Sequence, residues 1–134
     1  MRHTRLVDKL RHTRLVDKRW PGWVYGEGDE PDPRFSFANE RTFLAWVRTA
    51  LALLAGGVAL HVLPLTISWG ARTGLAALFI VLAVMAAVAG WLRWAQAERA
   101  MRVGAPLPGL AIAAVLTLAT VVAGLALLVV LTLE

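Results

Sequence analysis

Residues 73–92 read TGLAALFIVLAVMAAVAGWL, and this run of twenty residues without a charged side chain decides the fold of the chain. A helix of about 20 apolar residues is long enough to cross the hydrocarbon core of a bilayer. Two further apolar runs occupy about 42–62 and 110–133, and 58% of all residues are hydrophobic. We therefore predict an all-α integral membrane protein with three transmembrane helices, preceded by a short amphipathic helix at about 33–41.

The chain divides into a polar tail, residues 1–31, and a three-helix membrane domain, residues 32–134. The tail contains the octapeptide RHTRLVDK twice, at 2–9 and 11–18. We expect this tail to be disordered and cytoplasmic. The repeat is either a basic strip that lies on anionic lipid headgroups or a duplication without a function, and the sequence leaves both interpretations open.

The distribution of Lys and Arg predicts the orientation of the chain. Nine of them precede the first span, one lies in the first link, three lie in the second link and none follows the third span. Because positive residues stay on the cytoplasmic side, we expect a cytoplasmic N-terminus and an extracytoplasmic C-terminus in a multi-pass protein of the cell (plasma or inner) membrane. These flanks also account for the net charge of +5, so we predict no binding of nucleic acid.

The residue types needed for catalysis are poorly represented. The chain has no cysteine, and two of its three histidines, His3 and His12, are copies within the repeated tail. His61 stands alone near the far end of the first span, and no serine has a histidine close by in the sequence. We therefore predict that the protein is not an enzyme and uses no cofactor or metal ion.

The first span carries a regular pattern of arginines and small residues. Arg41 and Arg48 are seven residues apart, so on a helix they lie on one face, separated by two turns. Five small residues continue that face: Ala45, Ala52, Ala55, Gly56 and Ala59. Small residues let helices approach closely in lipid, so we expect this stripe to face protein or a narrow pore and Arg48 to point inward as well. The opposite face, which includes Ala50, should tolerate larger side chains.

An arginine inside an apolar span is costly, and three explanations for Arg48 remain open. Its side chain snorkels to the interface, helped by Glu40 or a lipid phosphate. Alternatively, it pairs with Glu40 or with Glu98 of a neighbouring helix and locks the structure. In the third explanation, copies of Arg41 and Arg48 from several subunits form rings that select anions.

Two further groups of residues are candidates for helix contacts. Glu98 and Arg102 lie four residues apart on a helical extension that should continue the second span to about residue 101. They form either an exposed pair worth about 0.2–0.5 kcal/mol or a latch against the first helix. On the third span, Gly124 shares a face with Thr117 and Thr120, a pattern that predicts either close helix packing or, as the alternative, a pore-lining face.

Two segments resemble a known family of membrane proteins. FANERTFLAWVRTALALLAGGVAL at 37–60 and WLRWAQAERAMRVGAPLP at 91–108 are similar to the YidH-like inner-membrane family, which is domain of unknown function 202. The resemblance covers about 32–133 and leaves the duplicated N-terminus outside. It implies an inner-membrane protein with three spans.

The motif NERTFLAW at 39–46 also resembles the first transmembrane helix of the membrane subunits of the vacuolar transporter chaperone complex. That resemblance implies a channel for polyphosphate, lined by basic residues of several subunits. Arg41 falls on the matching motif, whereas Arg48 matches no basic residue of that family. This chain carries neither the catalytic nor the phosphate-sensing domain of the complex, so it cannot make polyphosphate by itself.

These observations leave two hypotheses from different classes. The first is a homo-oligomeric pore or transport component for an anion of the polyphosphate type, with Arg41 and Arg48 as the selecting residues. The second is a non-conducting membrane scaffold or accessory subunit of a membrane complex. The partners expected in either case are the lipid bilayer and further copies of the chain, together with an anionic ligand or lipid headgroups.

Overall fold

The computed structural model describes residues 17–133, and within them the chain forms one short and three long helices. In chain order these are α1 (Gly22–Tyr25), α2 (Pro33–Val62), α3 (Trp69–Val103) and α4 (Ala111–Leu133). The three long helices have the length and the apolar composition needed to cross a membrane. The prediction of an all-α protein with three transmembrane helices is therefore confirmed.

Helix α2 combines the predicted amphipathic segment and the first span in one uninterrupted helix of 30 residues. Asp32 caps its first turn by accepting a hydrogen bond from the backbone N–H of Arg34 at 2.9 Å, and Pro33 occupies the first helical position, where its missing N–H costs nothing. At 1.5 Å per residue the helix is about 45 Å long, more than a hydrocarbon core of about 30 Å requires. Its first turns must therefore extend beyond the core.

Helix α3 extends past its apolar segment in the same way. Ser68 caps its start by accepting a hydrogen bond from the N–H of Ala71 at 3.3 Å. The helix ends at Gly104, which has a φ of 69° and donates its N–H to the carbonyl of Ala100. A left-handed residue after the last turn is most easily a glycine, so Gly104 fixes the end of the predicted extension, which is confirmed.

Helix α3 lies at the centre of the bundle. Both α2 and α4 pack against it, and among the described residues α4 has no backbone contact with α2. A small buried cluster joins the three helices through Ala50 of α2, Ala86 and Ala89 of α3, and Leu116 of α4. Most large apolar side chains of α4 point outward, with Leu125 57% exposed, as expected for a helix that faces acyl chains.

The segment before α2 is folded against the end of α3, whereas the sequence led us to expect a disordered tail up to residue 31. Within this segment Pro21 and Val24 are buried. It lies at the end of the bundle where α2 begins and α3 terminates. We call this the Arg102 end. Except for Asp17 and Lys18, the duplicated octapeptide lies outside the described residues.

Candidate functional site

Arg102 is one of two buried charged residues at the Arg102 end, the other being Glu98, and only 5% of its side chain is exposed. Its Nη2 donates to the carbonyl oxygen of Tyr25 at 3.2 Å, and its Nε donates to the carbonyl oxygen of Glu27, also at 3.2 Å. Its Nη1 lies 3.4 Å from a carboxylate oxygen of Glu30. A buried guanidinium is tolerated only when its donors are used, and here the segment before α2 provides the acceptors.

The backbone of the segment also contacts α3 directly. The N–H of Asp29 donates to the carbonyl oxygen of Arg102 at 3.0 Å. The neighbouring Gly28 has a φ of 70°, and a Cβ at this position would overlap that same carbonyl. Gly28 is therefore required both by its left-handed backbone and by the closeness of the two chain segments.

Arg19 and Tyr25 extend the cluster around Arg102. Arg19 pairs with Asp17 and with Glu30, each at 2.6 Å, and its guanidinium carbon lies 4.4 Å from the centre of the Tyr25 ring. The hydrogen bonds from Arg19 lower the pKa of Asp17 from 3.8 to about 2 and also lower the pKa of Glu30. Burial raises the pKa of the Tyr25 phenol. The cluster is thus arranged around charged carboxylates and a neutral phenol.

Aromatic rings join the same segment to α3 near the predicted membrane boundary. Trp20 stacks on Trp91 with ring centres 5.7 Å apart, and Trp23 meets Trp91 edge-on at 6.4 Å. Tyr25 contacts Trp94, whose ring also lies 6.3 Å from that of Phe43 in α2. Trp and Tyr rings favour the interface between water and lipid, so this cluster places the boundary near Trp91 and Trp94.

Glu98 is buried between α2 and α3, with 4% of the residue exposed. It accepts hydrogen bonds from Ser36 Oγ at 2.9 Å and from Asn39 Nδ2 at 3.3 Å, and Asn39 also donates to the carbonyl of Trp94 at 3.0 Å. Glu98 therefore holds the first helix through neutral donors. Among residues 17–133 it forms no ion pair with Arg48 or with any other arginine.

The predicted exposed pair of Glu98 and Arg102 is therefore not formed. Both residues are buried, and they use different partners: Glu98 contacts α2, whereas Arg102 contacts the segment before α2. The alternative, a latch against the first helix, describes the position of Glu98 correctly. The partners of the latch are Ser36 and Asn39 instead of an arginine.

Arg41 and Arg48 lie on the side of α2 that faces away from α3. Nine residues separate Arg41 from buried Ala50, and nine separate Arg48 from buried Gly57, which at about 100° per residue amounts to half a revolution in each case. Both arginines and Glu40 are exposed, and within the described part of the chain neither arginine has a hydrogen-bond or ion-pair partner. The expectation that Arg48 faces the interior of the bundle is not met within a single chain.

The small residues of the predicted stripe do not share one environment in the structure. Ala52 is exposed, Ala59 is half-buried, and Ala45 lines a groove between α2 and α4. Gly56 packs against α3, where a Cβ would come within 3.1 Å of the Phe79 ring. Gly124 of α4 is exposed with open space around it, so its predicted packing contact is not formed within the chain.

The face of α2 that contacts α3 was not identified as such from the sequence, although a signal for it exists. Its residues recur at intervals of three and four: Ser36, Asn39, Phe43, Trp46, Ala50, Leu53 and Gly57. This is the spacing of one helical face. The expectation that Ala50 could be enlarged freely is wrong, because Ala50 is buried against α3 and α4.

Comparison with known proteins yields a family and several relatives. Residues 34–100 match the family model described as a domain of unknown function (DUF202). An uncharacterized protein of Mycobacterium tuberculosis is 50% identical over 105 residues, covering 70% of this chain and 86% of that protein. The inner membrane protein YidH of Escherichia coli is 50% identical over 82 residues, covering 60% of this chain and 71% of YidH. No solved structure matches the chain.

Proposed function

The chain belongs to the DUF202 family, and from this premise we propose that it functions as a homo-oligomeric membrane protein in which Arg41 and Arg48 line a shared path for an anion. The resemblance to the YidH-like family is confirmed by the family model, which matches residues 34–100, and by the identity to YidH. The chain is accordingly a membrane protein of that family. The oligomer and the anion path are the proposal.

One observation is the main support for the proposal: two arginines stand on the outward face of α2 and have no hydrogen-bond or ion-pair partner among residues 17–133. A guanidinium in the hydrocarbon region costs about 2.5–3.5 kcal/mol at the centre of a helix and less near its ends. Contact with the same face of further copies would place these arginines around a common space. A ring of guanidiniums favours anions over cations.

The position of Arg48 along the helix suits this role. It lies two residues beyond Trp46 and five beyond Phe43, whose ring contacts the interfacial Trp94. At 1.5 Å per residue, Arg48 is about 7 Å deeper than Phe43, and Arg41 is about 3 Å shallower. In an oligomer, an anion would first contact a ring of Arg41 side chains at the interface. It would then contact a ring of Arg48 side chains deeper in the membrane.

The proposed orientation places the Arg102 end in the cytoplasm, as the distribution of Lys and Arg suggests. The relative from Escherichia coli is an inner membrane protein by name, which supports the same location for this chain. Because the chain has no cysteine, single cysteines can be introduced at Gly22, which has open space around it, and at exposed Thr66 in the opposite link. An impermeant thiol reagent added outside intact cells should label Thr66→Cys and leave Gly22→Cys unlabelled; the reverse pattern would contradict the orientation.

The anion path is tested by flux of chloride, phosphate and polyphosphate in vesicles that contain the purified full chain. Replacing Arg41 and Arg48 together by Gln should lower the flux by about tenfold or more while the native mass of the oligomer is unchanged. The double Lys variant should retain part of the flux, because it keeps the charge and loses only the planar fork. Arg99→Gln is the matched control, since Arg99 is exposed and pairs with Glu27 outside the span.

Two results would overturn the proposal. The first is a monomeric mass for the parent protein in mild detergent and in lipid, because a single three-helix chain encloses no channel. The second is a stable oligomer without flux of any of the three anions, which would favour the scaffold hypothesis instead.

A further inference from the structure

An open groove lies between α2 and α4, and neither Arg41 nor Arg48 is among the residues that line it. It arises because both helices pack on α3 without a backbone contact to each other, so Ala86 of α3 contributes to its lining. The groove has a volume of about 590 Å³ and is bounded by Thr42 to Leu53 on α2 and by Ala113 to Val121 on α4. No described residue of the chain fills it.

The groove contains four threonines, yet its hydroxyl hydrogens are already used. Each hydroxyl donates to the carbonyl oxygen four residues earlier in its own helix, at distances of 2.8–3.2 Å: Thr42 to Ala38, Thr49 to Ala45, Thr117 to Ala113 and Thr120 to Leu116. The remaining lining residues are apolar. The surface therefore suits a hydrocarbon chain better than a row of waters or a hydrated ion.

A second, smaller cavity of about 230 Å³ lies next to the groove at the Arg102 end, and Thr42 lines both. Arg93 of α3 lines this second cavity together with Asn39. One nitrogen of Arg93, Nη1, donates to the carbonyl oxygen of Gly109 at 2.9 Å. Its other N–H groups have no partner among residues 17–133. The mouth of the apolar groove thus offers positive charge and unused donors.

The dimensions match one leaflet of a bilayer. From Thr42 to Leu53 the groove follows eleven residues of α2, or about 16 Å along the helix axis, which is roughly half of a hydrocarbon core of about 30 Å. The mouth lies level with Trp91 and Trp94, which border Arg93 in the sequence and mark the interface. A groove of this length can hold an acyl chain, and the cation at its entrance can bind the headgroup of the same lipid molecule.

We infer that this groove is a binding site for an anionic glycerophospholipid of the leaflet at the Arg102 end, with an acyl chain between α2 and α4 and its phosphate at Arg93. Basic pockets between transmembrane helices hold lipid headgroups by the same combination of charge and hydrogen bonding. The bound lipid would supply the contact that α2 and α4 lack, so α4 would be held to the bundle partly through lipid. The inference does not depend on the proposed anion path, because neither Arg41 nor Arg48 lines the groove or the cavity that contains Arg93.

The experiment measures lipid binding by native mass spectrometry of the full chain in mild detergent, with phosphatidylglycerol and phosphatidylcholine of identical acyl chains. We expect one lipid per chain and about fivefold tighter binding of phosphatidylglycerol, equivalent to about 1 kcal/mol for one arginine at the headgroup. Arg93→Gln should remove this preference while phosphatidylcholine still binds. Arg99→Gln, on the exposed side of the same helix, should keep the preference.

A second pair of variants tests the acyl-chain part of the groove. Ala113→Phe fills the groove from α4 and should weaken binding of both lipids by about tenfold, whereas Ala114→Phe, one residue along and outside the lining, should leave binding unchanged. Equal binding of the two lipids by the parent protein, or no effect of Ala113→Phe, would overturn the inference. It would also be overturned if Ala113→Phe dissociated an oligomer without loss of lipid, because the occupant would then be a second copy of the chain.

Discussion

Arg102 and Tyr25 are 77 residues apart in the sequence and are joined by two interactions. Arg102 Nη2 donates to the Tyr25 carbonyl oxygen at 3.2 Å, and the guanidinium carbon lies 5.3 Å from the centre of the Tyr25 ring. The hydrogen bond fixes the backbone of the segment before α2, and the Tyr25 ring packs near the Arg102 guanidinium. The segment and the end of α3 are therefore one structural unit.

Replacing Arg102 by Gln should release this segment from α3. The carbonyls of Tyr25 and Glu27 lose their donor, which costs about 1–3 kcal/mol in total for these two partly buried hydrogen bonds. Hydrogen exchange at the backbone amides of residues 22–26 should accelerate by about tenfold or more. Arg99→Gln, which removes an exposed ion pair with Glu27, should change the exchange by less than about fivefold. Unchanged exchange in the Arg102 variant would show that the aromatic contacts alone hold the segment.

Gly28→Ala should displace the same segment by a different mechanism. The new Cβ would overlap the carbonyl oxygen of Arg102 and would place a side chain on a left-handed backbone. The control is Gly22→Ala, because a Cβ at Gly22 has open space and no unusual φ. In nanodiscs, limited proteolysis should cleave residues 17–31 faster in Gly28→Ala than in the parent protein. Cleavage of Gly22→Ala should remain at the parent rate. Equal protection of both variants would contradict the observed backbone contact.

Gly90→Ala should loosen the contact between α2 and α3. A Cβ at Gly90 would lie 2.6 Å from the Cβ of Trp46, so the helices would have to separate. Overpacking of this kind costs about 1–3 kcal/mol. We expect a lower midpoint of thermal unfolding in detergent, whereas Gly74→Ala, at a position with open space on the same helix, should leave the midpoint unchanged or raise it. A similar midpoint for both variants would mean that Trp46 moves aside freely.

Glu98→Ala should destabilise the protein more than Glu40→Ala. Removing the buried carboxylate leaves Ser36 and Asn39 with fewer acceptors at a half-buried site, at a cost of about 1–3 kcal/mol. Glu40 is exposed and lies on the same turn of α2, so its removal should cost about 0.5 kcal/mol or less. Thermal unfolding of both variants in the same detergent provides the comparison. Equal loss of stability would indicate that Glu98 contributes no more than a surface charge.

Acidification should weaken the cluster that Asp17 forms with Arg19 and Arg102. The hydrogen bonds from Arg19, with a smaller contribution from the charge of Arg102, lower the pKa of Asp17 from 3.8 to about 2, so the unfolded chain binds more protons than the folded chain between these values. The stabilisation is therefore complete above about pH 4 and is lost as the pH falls to about 2; the lowered pKa of Glu30 acts in the same direction. An environment-sensitive fluorophore on Gly22→Cys should report this transition. Its absence between pH 5 and pH 2 in the parent protein, or its unchanged course in Asp17→Asn, would contradict the role of the Asp17 pair.

Much of the membrane fold follows directly from local sequence patterns. The apolar runs near 42–62, 73–92 and 110–133 identify the three spans because the energy of placing a helix in lipid depends on its own residues. The helical extension to Val103 and its end at Gly104 also follow from local signals, the apolar run and the glycine. Family membership could likewise be anticipated from the motifs at 37–60 and 91–108.

The candidate sites could be predicted only in part, because the relevant contacts join residues that are far apart in the chain. Glu98 was singled out by its spacing from Arg102 and as a possible partner of Arg48, but its partners Ser36 and Asn39 are about 60 residues away. Arg48 was singled out as a charge within a span, while the direction in which it points depends on which face of α2 packs against α3. Periodicity defines a face, and it does not state which helix covers that face.

The sequence by itself determined which segments cross the membrane and where charge accumulates, since both depend on the transfer of each segment's own side chains between water and lipid. Only the tertiary structure decided that Arg102 holds the segment before α2, that Arg41 and Arg48 face away from their own bundle, and that α2 and α4 leave a groove between them. These features depend on how closely particular helices approach one another. In lipid that approach is set by shape and hydrogen bonding between distant residues, because the surrounding acyl chains are as apolar as the helices themselves.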